Sequence, residues 1–71
     1  MQLEFVEVTV NGAPRRVPSG LSVAELLHLL KVPSDRVAIE LDRSIVRKRD
    51  WDETAVQNGA KIEIVEFVGG G

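Results

Sequence analysis

The spacing of an amphipathic helix occurs only once in this chain, and that limits the architecture more than any other feature. Val23, Leu26, Leu27 and Leu30 fall on one helical face, while Glu25 and Lys31 lie off it. Ser22 and Glu25 frame the start as a capping box, Ser22-Val23-Ala24-Glu25, in which each side chain reaches the other residue's backbone N–H. Pro33 marks the end, because the residue before a proline is driven out of the α region. The spacing predicts a helix of about two to three turns. A single apolar stripe must be buried against another apolar face, and the rest of the chain offers only strands for that purpose.

Those strands alternate with period two. From Leu3 to Val10, Val6, Val8 and Val10 share one face and Glu7 and Thr9 the other. Asn11-Gly12 predicts a two-residue hairpin turn, since both residues tolerate positive φ. The return segment Arg15-Arg16-Val17 lies between Pro14 and Pro18, which have no N–H for a ladder, so an edge strand is expected. Further on, Val37, Ile39 and Leu41 alternate with Ala38 and Glu40, and Asp42-Arg43 turns the chain into a short strand at Ile45-Val46. Arg47 to Glu53 is too charged for core and reads as a loop with one helical turn, anchored by Trp51, whose indole N–H needs an acceptor. Asn58-Gly59 is a second turn signal. Lys61 to Phe67 forms the final strand, with Ile62 and Ile64 inward and Val65 and Phe67 on the opposite face with Lys61 and Glu63. Leu3 and Phe5 have the equivalent parity in the first strand, so if first and last strands are neighbours the four side chains are expected to form one exposed patch. The order of hairpin, helix, two strands, loop and final strand predicts an α+β roll: a mixed four- to five-stranded sheet packed on one main helix.

Composition narrows the chemistry. A chain of 71 residues holds one domain and buries only about 60% of the surface its unfolded form exposes. It has no cysteine, which excludes disulfides, thiolate metal sites and a cysteine nucleophile. His28 is the one histidine and lies off the apolar stripe, so it reads as solvated and has no partners for a metal site or a triad. The formal charge is −2, and the basic residues Arg43, Arg47, Lys48 and Arg49 are interrupted by Asp42, Asp50 and Asp52 with no aromatic stacking platform, which argues against a nucleic-acid partner. No segment approaches the ~20 apolar residues of a membrane span, and Met1-Gln2-Leu3-Glu4 lacks the positive start of a secretion signal. A soluble cytoplasmic protein, monomeric when free and without a membrane partner, is the expectation.

The chain ends in Gly69-Gly70-Gly71, reached directly from the last strand. Without Cβ atoms such a tail can enter a slot closed to other residues, and what it presents is the α-carboxylate of Gly71. At neutral pH that group is ionised and a poor electrophile, so chemistry there requires activation. The organisation expected is a folded body over residues 1–68 and a flexible tail over residues 69–71.

Together the opening strand-turn-strand around Asn11-Gly12, the capped helix and the final strand running into three glycines resemble the β-grasp fold of ubiquitin-like proteins. More narrowly, Val37-Ala38-Ile39-Glu40, Ile45-Val46, Trp51, Val56 to Ile62 and Phe67-Val68-Gly69-Gly70-Gly71 are similar to the thiamine-biosynthesis sulfur carrier family, over a stretch from Val6 to Gly71. Two turns depart from the family pattern: Arg47-Lys48 stands where Pro-Arg is usual, and Asn58 and Ala60 stand where aspartates usually flank the turn glycine. The resemblance implies that an adenylating, E1-like enzyme uses ATP and Mg²⁺ to convert the Gly71 carboxylate into an acyl-adenylate. That species becomes a thiocarboxylate, with sulfur from a donor such as a cysteine desulfurase relay, and a thiazole synthase receives the sulfur. By this reading the chain binds no cofactor or metal and is a protein cosubstrate, not an enzyme. Docking is expected to fall to Val65, Phe67 and Val68, with Glu63 and Glu66 facing a basic partner surface and Gly69 and Gly70 entering the partner's channel. Alternative readings are the small subunit of molybdopterin synthase, which shares fold and tail, a protein modifier, and a non-covalent ubiquitin-like interaction module with an inert tail. Deleting Gly70 and Gly71 separates the last from the carriers.

Overall fold

The computed structural model describes residues 4–67. Strand β1 (Phe5–Val10) turns at Asn11 and Gly12, both at positive φ (51° and 83°), into β2 (Ala13–Pro18). This is the conformation that makes Asn-Gly a preferred hairpin turn. Helix α1 (Val23–Leu29) follows, then β3 (Val37–Leu41), β4 (Ser44–Val46) and β5 (Lys61–Glu66), with single 3₁₀ turns at Ser34–Arg36 and Lys48–Asp50. The five strands form one sheet in the order β2-β1-β5-β3-β4. β1 and β5 run parallel at its centre, and the other neighbours are antiparallel. This is the β-grasp arrangement expected from the sequence, with one helix across a mixed sheet.

The edge strand is longer than Arg15-Arg16-Val17. It includes both prolines, with Pro14 opposite Thr9 and Pro18 opposite Phe5. A proline is admissible there because an edge strand leaves one side without a ladder partner.

The capping box forms as read: Ser22 Oγ accepts from the Glu25 N–H at 3.1 Å, and Glu25 Oε1 accepts from the Ser22 N–H at 2.9 Å. Two further N-terminal donors of α1 are taken by the loop that follows β4, Val23 N–H by the Thr54 carbonyl (2.8 Å) and Ala24 N–H by that of Trp51 (3.2 Å). Those bonds satisfy groups that no helix can satisfy by itself and fix the loop to the helix start. The helix stops earlier than Pro33 requires. Lys31 adopts a left-handed conformation (φ 60°), its N–H donates to the His28 carbonyl at 3.1 Å, and Val32 N–H donates to the Leu27 carbonyl at 2.9 Å. This is a Schellman ending with lysine in the place glycine usually takes.

Val6, Val8, Val10 and Val17 from the hairpin, Val37, Ile39 and Ile62 from the other strands, and Val23, Leu26 and Leu27 from α1 make one buried cluster. Trp51, 4% exposed, closes it from the loop, and its indole N–H donates to the Val46 carbonyl at 2.9 Å. Val56 and Ala60 also join the cluster, although nothing in their flanking sequence marks them as core. Among the described residues no helix is long and apolar enough to cross a membrane.

Candidate functional site

β5 carries the core and the candidate site on alternate residues. Ile62 is fully buried and Ile64 packs against the core. Val65 is 52% exposed and Phe67 59% exposed, on the face that α1 does not cover. Pairing directs which side chains accompany them, because residues directly opposite in a ladder share a face. Val65 lies opposite Ala38, and one step back Glu63 lies opposite Glu40, which in turn lies opposite Ile45. Among the described residues Ile45 is the most exposed large apolar one, at 72%. The ladder extends to the last described residue, with Phe67 N–H donating to the Arg36 carbonyl at 2.8 Å.

The outer face around the end of β5 therefore combines Val65, Ala38 and Ile45 with the paired carboxylates Glu40 and Glu63, both half-buried. Like charges directly opposite one another are mutually unfavourable, and a cation brought from outside would relieve them. Of the residues singled out from sequence, Glu63, Val65, Glu66 and Phe67 sit on this strand and its continuation, whereas Val68, Gly69, Gly70 and Gly71 lie outside the described residues. Ala38, Glu40 and Ile45 were not singled out. The period-two alternation of β3 was legible, but their meeting with β5 depends on strand order and register.

The patch joining Phe5 to Val65 and Phe67 does not form, although β1 and β5 are neighbours. Their parallel register pairs Thr9 with Lys61. Phe5 lies four positions before that pair and Val65 four positions after it, which at ~3.3 Å per residue separates their levels by about 25 Å. Phe5, 50% exposed, instead stacks under Arg16, whose guanidinium carbon is 5.7 Å from the ring centroid. Leu3 lies outside the described residues.

Polar side chains from turns hold β5 along its length. Asp42 Oδ1 accepts from the Lys61 N–H at 2.9 Å, and the Asp42 N–H donates to the Lys61 carbonyl at 2.8 Å. Further on, Asn11 Oδ1 accepts from the Ile64 N–H at 2.7 Å while its Nδ2 donates to the Ile64 carbonyl at 3.3 Å. Asn58, at one of the two departures from the family pattern, accepts from the Glu7 N–H through Oδ1 at 2.9 Å. An aspartate there offers the same kind of acceptor, so this bond is indifferent to the exchange. Ala60, on the other side of the same turn glycine, is buried in the core. Among the described residues no three His, Cys, Asp or Glu side chains gather to hold a metal ion.

Comparison with known proteins extends this picture past Phe67. The family model described as the ThiS family matches residues 8–71. A crystal structure of the thiamine biosynthesis protein (ThiS) from Geobacter metallireducens superposes with a TM-score of 0.81 at 38% identity, covering 93% of this chain and 100% of that one. The thiazole synthase of Paramagnetospirillum magneticum is 39% identical over 66 residues, which are 93% of this chain and 20% of the synthase. The uncharacterized protein ycf40 of Porphyra purpurea is 33% identical over 66 residues and is matched along 93% of both chains. This chain thus spans about a fifth of the length of the thiazole synthases it matches and nearly all of the algal protein.

Proposed function

The chain belongs to the ThiS family, and from that membership we propose that it is a sulfur carrier for thiazole formation in thiamine biosynthesis, with the Gly71 carboxylate as its reacting group. The observation that carries this reading is the direct run of the most exposed end of β5, Val65 to Phe67, into a segment whose family match continues to the terminal glycine. The thiazole synthase relatives contain a stretch like this chain within a longer protein, which supports a synthase as the receiving partner.

The sequence of steps follows from the carboxylate's poor electrophilicity. In an adenylating, E1-like partner holding ATP and Mg²⁺, a Gly71 carboxylate oxygen attacks the α-phosphorus of ATP, and pyrophosphate leaves. A persulfide sulfur, supplied by a donor such as a cysteine desulfurase relay, then displaces AMP from the acyl carbon to give an acyl disulfide. Attack of a second thiolate on the donor-side sulfur releases the thiocarboxylate and leaves a disulfide on the donor. Once that sulfur has bonded to the thiazole precursor on the synthase, a water equivalent attacks the acyl carbon, the C–S bond breaks with the sulfur left on the precursor, and the carboxylate is regenerated. The carrier's own residues dock and deliver.

Magnitudes assign docking to the sheet face. The four residues after Phe67 span at most about 14 Å when extended, enough to enter a channel but not to wrap a partner. Ordering each glycine opposes binding by about 1–2 kcal/mol, so affinity must come from elsewhere. Val65 and Phe67 supply the apolar contact, together with Ile45, and Glu40 and Glu63 match a basic group on the partner. Glu66, expected from the sequence to join the docking face, instead lies opposite the buried Val37 and shares the helix-side parity of Ile62 and Ile64, so it does not belong to this patch.

Deleting Gly70 and Gly71 tests the reading. The truncated protein should melt as the full chain does and should not support ATP–pyrophosphate exchange by the adenylating enzyme that the full chain supports. Exchange undiminished by the deletion would remove Gly71 from the chemistry and leave a binding module.

A further inference from the structure

β5 is held unevenly along its two sides. On the side of β3 its ladder runs from Ile62 opposite Leu41 to Glu66 opposite Val37, and Phe67 N–H adds one more bond to Arg36. On the side of β1 the backbone ladder is short. Thr9 N–H donates to the Ala60 carbonyl at 3.0 Å and Asn11 N–H to the Ile62 carbonyl at 2.8 Å, after which β1 turns away at Asn11-Gly12. The next β5 residue facing that side is Ile64, and both of its backbone groups are taken by the Asn11 side chain. A primary amide carries the same donor and acceptor as a peptide unit, so Asn11 supplies one more rung where the strand itself has left. Aspartate could accept from the Ile64 N–H but could not donate to its carbonyl, and serine is too short to span both groups.

We propose that Asn11 is a positioning residue for the docking end of β5: its amide fixes the outer half of β5 from the β1 side and so sets the placement of Val65 and Phe67 toward a partner. Ile64 is adjacent to Val65 and three residues before Phe67, so its anchoring governs the docking patch. This role rests on the sulfur-carrier reading. It also gives the Asn-Gly turn a second reason for its asparagine, since positive φ alone is met equally well by glycine.

Two variants separate the amide from the turn. Asn11→Gly keeps the turn conformation and removes the side chain; Asn11→Asp keeps the acceptor and loses the donor. In Asn11→Gly the Ile64 amide should exchange with deuterium roughly tenfold faster, while amides of the core strands keep their rates. The KM for the carrier in ATP–pyrophosphate exchange should rise roughly fivefold with kcat unchanged, and Asn11→Asp should recover part of both losses. Val56→Ala, which lowers stability from the opposite end of the core, serves as the control and should leave KM unchanged. An equal rise of KM in that control would reduce Asn11 to a contributor to stability and overturn the proposal, as would an unchanged KM in Asn11→Gly beside faster Ile64 exchange. Wild-type protein that supports no exchange at all would instead overturn the sulfur-carrier reading, and the Ile64 exchange rate would then decide the clamp by itself.

Discussion

The two faces of the sheet hold similar side chains under opposite conditions. Toward α1, Val6, Val8, Val17, Ile39 and Ile62 are almost entirely removed from water; on the other face Ile45, Val65 and Phe67 each expose half their surface or more. Hydrophobicity does not separate the two groups. Parity along the strand does, and β5 shows it within one element by sending Ile62 inward and Val65 outward. The single helix covers one face only, so the domain derives its stability from one side and leaves apolar area for a partner on the other.

If this division is right, substitutions on the covered face should act on folding. Trp51→Ala should have the largest effect, about 3–5 kcal/mol for loss of a buried aromatic. Against the roughly 4–11 kcal/mol expected for a 71-residue domain, that is enough to unfold a large fraction of the molecules near the temperature where wild type remains folded. A thermal melt followed by far-UV circular dichroism measures it, and an unchanged midpoint would break the comparison at its strongest point.

On the open face the ranking should invert. Phe67→Ala should leave the melting curve within about 0.5 kcal/mol of wild type while raising the KM for adenylation roughly tenfold, the scale of an interface anchor. A loss of stability with unchanged KM would place Phe67 with the core and remove it from docking.

The smallest effect sharpens the covered side. Lys31 holds a left-handed conformation at the end of α1, which is unfavourable for any residue with a Cβ. Lys31→Gly should therefore stabilise by about 0.5–1 kcal/mol, the relief of strain being partly offset by the greater freedom of glycine in the unfolded chain. Chemical denaturation resolves a change of that size, and a destabilised variant would mean that the lysine side chain contributes more than its backbone strain removes.

The parts legible in the sequence were those governed by local rules. Period-two alternation gave the inward and outward sides of β1, β3 and β5; the capping box gave the start of α1; the amphipathic character of the indole marked Trp51 as an anchor in need of an acceptor. Parts that depend on strand order and register were not legible. Nothing in the alternation of β1 and β5 states that they pair in parallel with Thr9 beside Lys61, and that register is what separates Phe5 from Val65 and sets Ile45, Glu40 and Glu63 in one row. The end of α1 was misplaced for a related reason: a Schellman ending is usually signalled by glycine, and here lysine occupies the position. Asn11 read as a turn residue because its φ is a local property, whereas its grip on Ile64 spans 53 positions of sequence.

The central claim is that the folded body exists to present one carboxylate. Intact-mass spectrometry of the protein produced together with its own biosynthetic enzymes under sulfur-replete conditions tests it most directly. The expected result is a fraction heavier by the exchange of one oxygen for sulfur, localised to Gly71 by fragmentation and absent when the adenylating enzyme is omitted. A chain that leaves those conditions entirely as the carboxylate would contradict the account.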